Sequence, residues 1–503
     1  MFDGVLDLGW FPLLVLVVSL LVALGFEFVN GFHDTANAVA TVIYTNSMAP
    51  TRAVVLSALC NFLGVFAGGI AVAMAILHLL PVELLVAGGT GAGLAMVMAL
   101  LISAILWNLG TWYVGLPASS SHTLIGAILG VGIAHSLLPG NVFGGGVNWG
   151  KAESVGLSLL ISPLFGALVA GLLFLLVRAL VRDPRLYAPP QPNAPPPRWI
   201  QWLLIGTCSG VSFSHGSNDG QKGIGLIMLI LVGVLPANFA LDRSASAETI
   251  EHTVAASEAF ERRVLAAGIA GVTTADLAAS DRKAVGEGGA DQDQLTAVYN
   301  RTPKTARDAG LMALHHLDAL QAALKDKQRV TQIPREKRWA VRESQLRFEQ
   351  AWKALRNLEA IQPSPEEQAA IAKDLDALRG LTDYAPVLVI IAVALALGVG
   401  TTVGWKRIVV TVGEKIGATH LTYAQGACAE LVAMSTIAVA SLAGLPVSTT
   451  HVLSSGVAGT MVANESGLQG KTVRNIVLAW VLTLPVVMVL SGALYLLFHG
   501  LVR

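Results

Sequence analysis

Apolar runs long enough to cross a bilayer recur along the chain, at roughly 11–29, 53–80, 91–114, 154–177, 222–238, 385–404 and 475–499. Shorter apolar pieces lie at 122–139, 199–213, 421–443 and 452–463, and read as additional or broken spans. The pattern predicts an all-α polytopic membrane protein with about 10–12 transmembrane helices. The first run is long, contains Glu27 and leads straight into polar sequence, so it reads as a resident helix rather than a cleaved signal.

Polar residues interrupt this pattern at matching places. Asn30-Gly-Phe-His-Asp-Thr-Ala-Asn37 returns as His215-Gly-Ser-Asn-Asp-Gly-Gln-Lys222, so that Gly31, His33 and Asp34 align with Gly216, Asn218 and Asp219. A second element, Gly115-Leu-Pro-Ala-Ser-Ser-Ser-His-Thr-Leu124, returns as Gly444-Leu-Pro-Val-Ser-Thr-Thr-His-Val-Leu453. Gly31 and Gly115 are 84 positions apart, whereas Gly216 and Gly444 are 228 apart. The excess nearly equals a charged segment, 241–383, which holds 42 of the chain's 33 basic and 33 acidic residues. Without that segment the halves are equal, which argues for internal duplication.

The predicted organisation is a first membrane repeat (1–178), a linker rich in Pro and Arg (179–198), and a second repeat (199–240 and 384–503) interrupted by a soluble helical insert (241–383). Proline runs at 189–190 and 195–197 keep the linker out of the hydrocarbon, and its arginines favour the cytoplasmic side. If each half crosses an odd number of times, the halves are inverted, the plan of many secondary transporters. In the insert, Phe348, Trp352, Leu355 and Leu358 form one helical stripe, and Ser364-Pro-Glu-Glu367 reads as a helix start. Residues 241–300 are more polar and read as partly disordered. A spacer and a regulatory module are both open for the insert.

Composition narrows the function. Hydrophobic residues make up 54% of the 503 and charged residues 13%, with mean hydropathy +0.63. The formal net charge is zero, so nothing argues for nucleic acid. Cys60, Cys208 and Cys428 are isolated in apolar sequence, which offers neither a disulfide framework nor a CxxC metal site.

An Asp at mid-bilayer costs roughly 2.5–3.5 kcal/mol on insertion scales. Two, at matching places, suggest a solute or ion site shared by both halves; structural caps or a closed buried polar network are the alternative. The flanking glycines suit an interrupted helix with free N–H groups. Gly-Leu-Pro should end one helix, after which Ser119, Ser120, Ser121 and Thr123, or Ser448, Thr449 and Thr450, start the next with hydroxyls and N–H groups open to a tetrahedral oxyanion. Ordinary N-capping explains the same residues. His122 and His451 suit a proton relay or a structural hydrogen bond equally. His33 stands where the other copy has Asn218 and is the better proton-coupling candidate. Lys222, opposite Asn37, either pairs with Asp219 or meets the anion. Glu27 and Glu430 are weaker candidates, and Glu414 and Lys415 read as interfacial. The Ser-rich element occurs twice and outside any Gly-x-Ser-x-Gly pattern, which argues against a hydrolase.

These four motifs, in this order, resemble the inorganic phosphate transporter (PiT) family, and within it the bacterial low-affinity phosphate transporters; the resemblance covers essentially the whole chain. It implies a secondary transporter of the bacterial inner (plasma) membrane that imports inorganic phosphate by alternating access and proton symport, as a neutral complex with Mg²⁺ or another divalent metal. It implies no resident cofactor and leaves a homo-oligomer open. By motif, Asn37, Ser120, Ser121, Thr123, Asn218, Ser448, Thr449 and Thr450 would bind phosphate. Asp34, Asp219 and His33 would couple cations or protons, with Asp34 and Asp219 meeting the metal of the complex. His122, His451 and Lys222 are secondary. His33 and Lys222 replace the Asn usual in sodium-coupled members, which favours protons. A sodium-coupled phosphate symporter or a sulfate permease on the same scaffold is the alternative.

Overall fold

The apolar runs fold as helices in the computed structural model, which describes residues 9–77, 90–139, 147, 149–191, 194–269 and 303–502. The first half contributes α1 (Trp10–Tyr44), α2 (Pro50–Ala67), α3 (Ala71–Leu77), α4 (Thr90–Val114), α5 (Ser120–Ser136) and α6 (Trp149–Leu180). α7 (Arg198–Val234) opens the second half. The charged segment gives α8 (Ala247–Ala266), α9 (Ala306–Leu324), α10 (Arg338–Asn357) and α11 (Pro365–Arg379). The chain continues through α12 (Val387–Thr401), α13 (Lys406–Glu414), α14 (Tyr423–Leu442), α15 (Thr449–Ala463) and α16 (Gly470–Val502). Helices Trp10–Gly233 and Ala385–Arg503 make one compact unit; Val234–Tyr384 make another.

Six of the described helices are long and apolar enough to cross a membrane, and seven if α12 and α13, bent by 67° at a short break, count as one span. The larger number expected from sequence includes pieces that this criterion leaves out. α5 and α15 have 17 and 15 residues, about 25 and 22 Å at 1.5 Å per residue, short of the roughly 20 residues a full span needs. α7 is 37 residues long, but Asp219, Gln221 and Lys222 interrupt its apolar sequence. The expected run 53–80 is divided by Gly69, whose φ of +70° ends α2 before α3 begins; residues 78–89 lie outside the described residues. On α6, Leu160, Leu164, Leu168 and Leu172 are exposed at every fourth position, an apolar stripe suited to a membrane interior.

The motif helices are not interrupted. α1 runs through Gly31 and α7 through Gly216 without a break, contrary to the sequence expectation. The glycines serve close packing instead. A Cβ at Gly31 would lie 2.3 Å from the Leu397 carbonyl oxygen of α12, and one at Gly216 would lie 2.1 Å from the Asn61 carbonyl oxygen of α2. The contact is reciprocal: a Cβ at Gly400 of α12 would lie 2.1 Å from the Phe28 carbonyl oxygen, and one at Gly64 of α2 would lie 2.1 Å from that of Phe213. The same exchange recurs where Gly130 of α5 presses on Met488 of α16 and Gly459 of α15 on Ala167 of α6. Small residues allow backbones to approach this closely in a membrane interior, where apolar burial alone does not drive helices together. Equivalent helices of the two halves therefore pack on the opposite half.

The unit Val234–Tyr384 has its own apolar core, with Phe260, Phe348, Trp352 and Leu355 in mutual packing. Leu358, expected on the same stripe, is 44% exposed because α10 ends at Asn357 and turns the next residue outward. α11 begins as expected. Ser364 Oγ accepts from Glu367 N at 3.3 Å, and Glu367 Oε2 accepts from Ser364 N at 2.8 Å. That backbone hydrogen bond, with the Ser364 hydroxyl, holds the Glu367 carboxyl below its ordinary pKa. Residues 247–266, within the stretch expected to be partly disordered, form α8; 270–302 lie outside the described residues. Where the chain enters and leaves this unit, Asp242 N donates to Leu381 O at 2.8 Å. The buried Arg342 donates to both Ala240 O and Thr382 O, at 3.0 and 3.1 Å.

Candidate functional site

Both Gly-Leu-Pro elements form the same turn. Gly115 (φ +73°) and Gly444 (φ +65°) follow α4 and α14 in the left-handed region. Leu116 N returns to Thr111 O and Leu445 N to Ala440 O, each at 2.9 Å, which closes the helix ends. Ser119 and Ser448 then cap α5 and α15, accepting from His122 N and His451 N at 3.2 and 3.1 Å. Ser120, one residue past the first cap, and Thr450, two past the second, carry their hydroxyls to the aspartates.

Asp34 of α1 and Asp219 of α7 meet there, 2% and 1% exposed. Ser120 Oγ lies 3.1 Å from Asp34 Oδ2 and 3.1 Å from Asp219 Oδ2, bridging the two carboxylates. Thr450 Oγ1 donates to Asp34 Oδ1 at 2.8 Å and accepts from Asn37 Nδ2 at 2.8 Å. His33 Nδ1 stands 3.2 Å from Asp34 Oδ1, and its Nε2 is 3.3 Å from Thr111 Oγ1. Lys222 Nζ pairs with Asp219 Oδ2 at 2.7 Å and donates to Ser120 Oγ at 3.3 Å.

His215 completes the cluster and was not singled out from sequence. Its Nε2 lies 3.6 Å from Asp34 Oδ2 and 3.4 Å from Asp219 Oδ2, while its Nδ1 is 2.8 Å from Asn61 Oδ1. An amide oxygen only accepts, so Nδ1 carries the hydrogen. A neutral ring would then aim the Nε2 lone pair at two carboxylates; a proton or metal ion between them removes that repulsion. The available signal was its position four residues before Asp219, one helical turn away on the same face.

Asp34, His215 and Asp219 each offer one ligand atom within 4.8 Å of the others, a donor set suited to a cation. Several buried polar atoms here have no hydrogen-bond partner among the described residues: Asp219 Oδ1, Asn37 Oδ1, Thr449 Oγ1 and His215 Nε2. Buried polar atoms are rarely left so, and this concentration suits a polar ligand.

Other expected residues stand one step back. Ser121 Oγ donates to Val447 O at 2.8 Å, and Asn218 Nδ2 to Leu445 O at 3.2 Å, so both hold the second hairpin. Thr123 Oγ1 donates to Asn108 Oδ1 and Ser119 O. The His122 and His451 rings meet with centroids 4.4 Å apart and planes tilted by 39°, and His451 also meets Trp480 at 4.1 Å. Glu27 and Glu430 are both fully buried, Glu27 near Asn30 and Glu430 accepting from Thr207. Glu414 and Lys415 are exposed, as expected of interfacial charges.

Comparison with known proteins shows the family. A family model described as the phosphate transporter family matches residues 30–491. The low-affinity inorganic phosphate transporters PitB and PitA of Escherichia coli (strain K12) are each 43% identical, over 96% of this chain and 96% of theirs. The low-affinity inorganic phosphate transporter of Buchnera aphidicola subsp. Acyrthosiphon pisum is 38% identical over 96% of both chains. Among solved structures, the sodium-dependent phosphate transporter superposes with a TM-score of 0.48 at 19% identity, covering 96% of this chain and 98% of that one. This chain is an integral membrane protein and belongs to the phosphate transporter family.

Proposed function

We propose that the protein imports phosphate by proton symport across a bacterial inner membrane, with phosphate travelling as a neutral complex with a divalent metal. The observation that carries this reading is the bridge from Ser120 Oγ to both Asp34 and Asp219 at the start of α5. It joins one carboxylate from each half to a helix N-terminus, where open N–H groups favour an anion. Carboxylates repel a bare phosphate dianion and attract a cation. A metal-phosphate complex satisfies both, and Mg²⁺ is ordinarily held by few carboxylates plus substrate oxygens. Pairing also removes most of the charge that would otherwise enter a low-dielectric site.

In this reading Asp34, Asp219 and His215 face the metal or proton, while Asn37, Ser120, Thr449 and Thr450 face phosphate oxygens. Ser121, Thr123, Asn218 and Ser448 support the hairpins that carry these hydroxyls. Two inverted halves rocking about the shared site would give alternating access, a reading supported by the reciprocal glycine contacts. His33, between Asp34 and Thr111, is the proton-coupling residue.

The test is uptake of labelled phosphate by proteoliposomes with an imposed pH gradient. Wild type accumulates phosphate; Asp34→Asn and Asp219→Asn lose nearly all gradient-driven uptake, and His33→Asn weakens the pH response. Normal uptake by either Asp variant refutes the two-carboxylate site. Uptake that follows a sodium gradient and persists with an uncoupler refutes proton symport. Full competition by sulfate refutes selectivity for phosphate.

A further inference from the structure

The two motif helices bring unequal charge to one site. Position by position, α1 offers Asn30, His33, Asp34 and Asn37 where α7 offers His215, Asn218, Asp219 and Lys222. Histidine and asparagine simply exchange places between the halves. The last pair does not balance: beside Asp34 stands the neutral Asn37, beside Asp219 an ammonium.

Lys222 is fully buried, and its Nζ reaches Asp219 Oδ2 at 2.7 Å and Ser120 Oγ at 3.3 Å. Both partners are oxygen atoms, and Ser120 also contacts Asp34. A small dissolved cation at Asp219 would use the same oxygens. At the equivalent place in the first half, Asn37 turns its Nδ2 to Thr450, and its Oδ1 has no partner among the described residues. That amide oxygen stands in the first half where the second half places its ammonium, and Lys222 takes up Asp219 Oδ2 while Asp219 Oδ1 has no partner among the described residues.

We propose that Lys222 is a tethered cation: its ammonium holds at Asp219 the place that a mobile cation takes at Asp34. This deepens the reading of the aspartate pair as the transport site and rests on it. A side chain returns with the empty carrier, so it adds no net charge to a complete cycle, whereas a dissolved cation is left behind. Lys222 thereby removes one mobile cation from the coupling stoichiometry. It also keeps the two carboxylates from presenting their full double charge to an arriving anion. Replacing it by Asn, the residue of the first half, opens a second mobile-cation position.

The experiment compares wild type, Lys222→Asn and Lys222→Arg as full-length protein in proteoliposomes. Labelled phosphate uptake is measured with sodium or choline as the external cation, and at a series of potassium-clamped voltages. Wild type and Lys222→Arg are expected to show no response to sodium. Lys222→Asn is expected to gain saturable sodium stimulation of about tenfold, the effect of one charge-assisted contact, with one more positive charge moved per phosphate. Uptake by Lys222→Asn with the wild-type charge ratio and no response to sodium overturns the proposal.

If Lys222→Asn transports nothing in either salt, thermal unfolding of the purified protein decides. Sodium-specific stabilisation of Lys222→Asn, absent from wild type, sustains the proposal; its absence overturns it. Failure of wild type itself to move phosphate refutes the phosphate reading, and the unfolding comparison still reads the cation position alone.

Discussion

Asn61 Oδ1 accepts a hydrogen bond from His215 Nδ1 at 2.8 Å, so a helix of the first half fixes which ring nitrogen the second half presents to the aspartates. Asn61 is held in turn by donating to Thr401 Oγ1 at 3.1 Å. Asn61→Ala frees the ring and leaves Nδ1–H unpaired. Phosphate uptake by this variant should fall about tenfold, the cost of roughly one buried hydrogen bond. The readout is the initial rate in proteoliposomes, and a wild-type rate would show that ring orientation does not matter.

Ser120 and Ser121 are neighbours with different tasks, which mutation can separate. Ser120 reaches both carboxylates, whereas Ser121 donates to the Val447 carbonyl. Ser120→Ala should raise the KM for phosphate about 10- to 100-fold, as loss of hydrogen bonds to charged groups predicts. Ser121→Ala should act mainly on stability, through the second hairpin. Equal effects on KM would place both hydroxyls at the substrate.

The reciprocal glycines predict a folding defect rather than a transport defect. Gly31→Ala and Gly216→Ala force a methyl against backbone oxygens, at 2.3 and 2.1 Å, that cannot move without shifting a helix. Both should sharply reduce the yield of monodisperse protein in detergent. Gly25→Ala and Gly110→Ala, with nothing within 4 Å, should behave as wild type. Normal yields for the first pair would mean that the crossings are looser than described.

In the helical unit Val234–Tyr384, the cap of α11 should respond to acid. Glu367 has a lowered folded pKa, so its stabilisation is complete above the unfolded value, about 4.3, and is lost as pH falls through the lower folded value. Glu367→Gln should therefore lower thermal stability slightly near neutrality and flatten the acid limb, meeting wild type below the folded pKa. An unchanged acid limb would assign the loss to other carboxylates.

Arg342 makes a stronger claim. Its guanidinium satisfies Ala240 O and Thr382 O together, so Arg342→Met leaves two buried acceptors bare and should cost about 2–4 kcal/mol. Limited proteolysis of the full chain should then open this unit first. Undiminished protection would show that the backbone bond from Asp242 to Leu381 suffices.

Much of this arrangement is legible in the amino-acid sequence. Asp34, Asp219, Ser120 and Thr450 announced themselves because polar residues repeat at matching places in apolar sequence, and duplication doubled the signal. Helix ends at Gly115 and Gly444 followed from glycine and proline chemistry. What stayed hidden depends on partners far away in sequence. Gly31 lies within the intact α1 against the Leu397 carbonyl of α12, so a glycine that suggests a break locally is a packing residue in space. His215 lies just ahead of the aligned glycine-to-aspartate element, so alignment of the repeats alone gave it no emphasis.

The hydrogen bond from Thr450 to Asp34 joins residues 416 positions apart. During synthesis, α1 therefore enters the bilayer carrying an acidic group whose hydroxyl partner has not yet been translated. The packing surface for Gly31 arrives similarly late. Newborn chains must be sheltered by the insertion machinery, or by lipid headgroups drawn inward, until the distal helices emerge. Truncation after the first repeat should leave a polypeptide that quality-control proteases remove, not a half-carrier awaiting a mate.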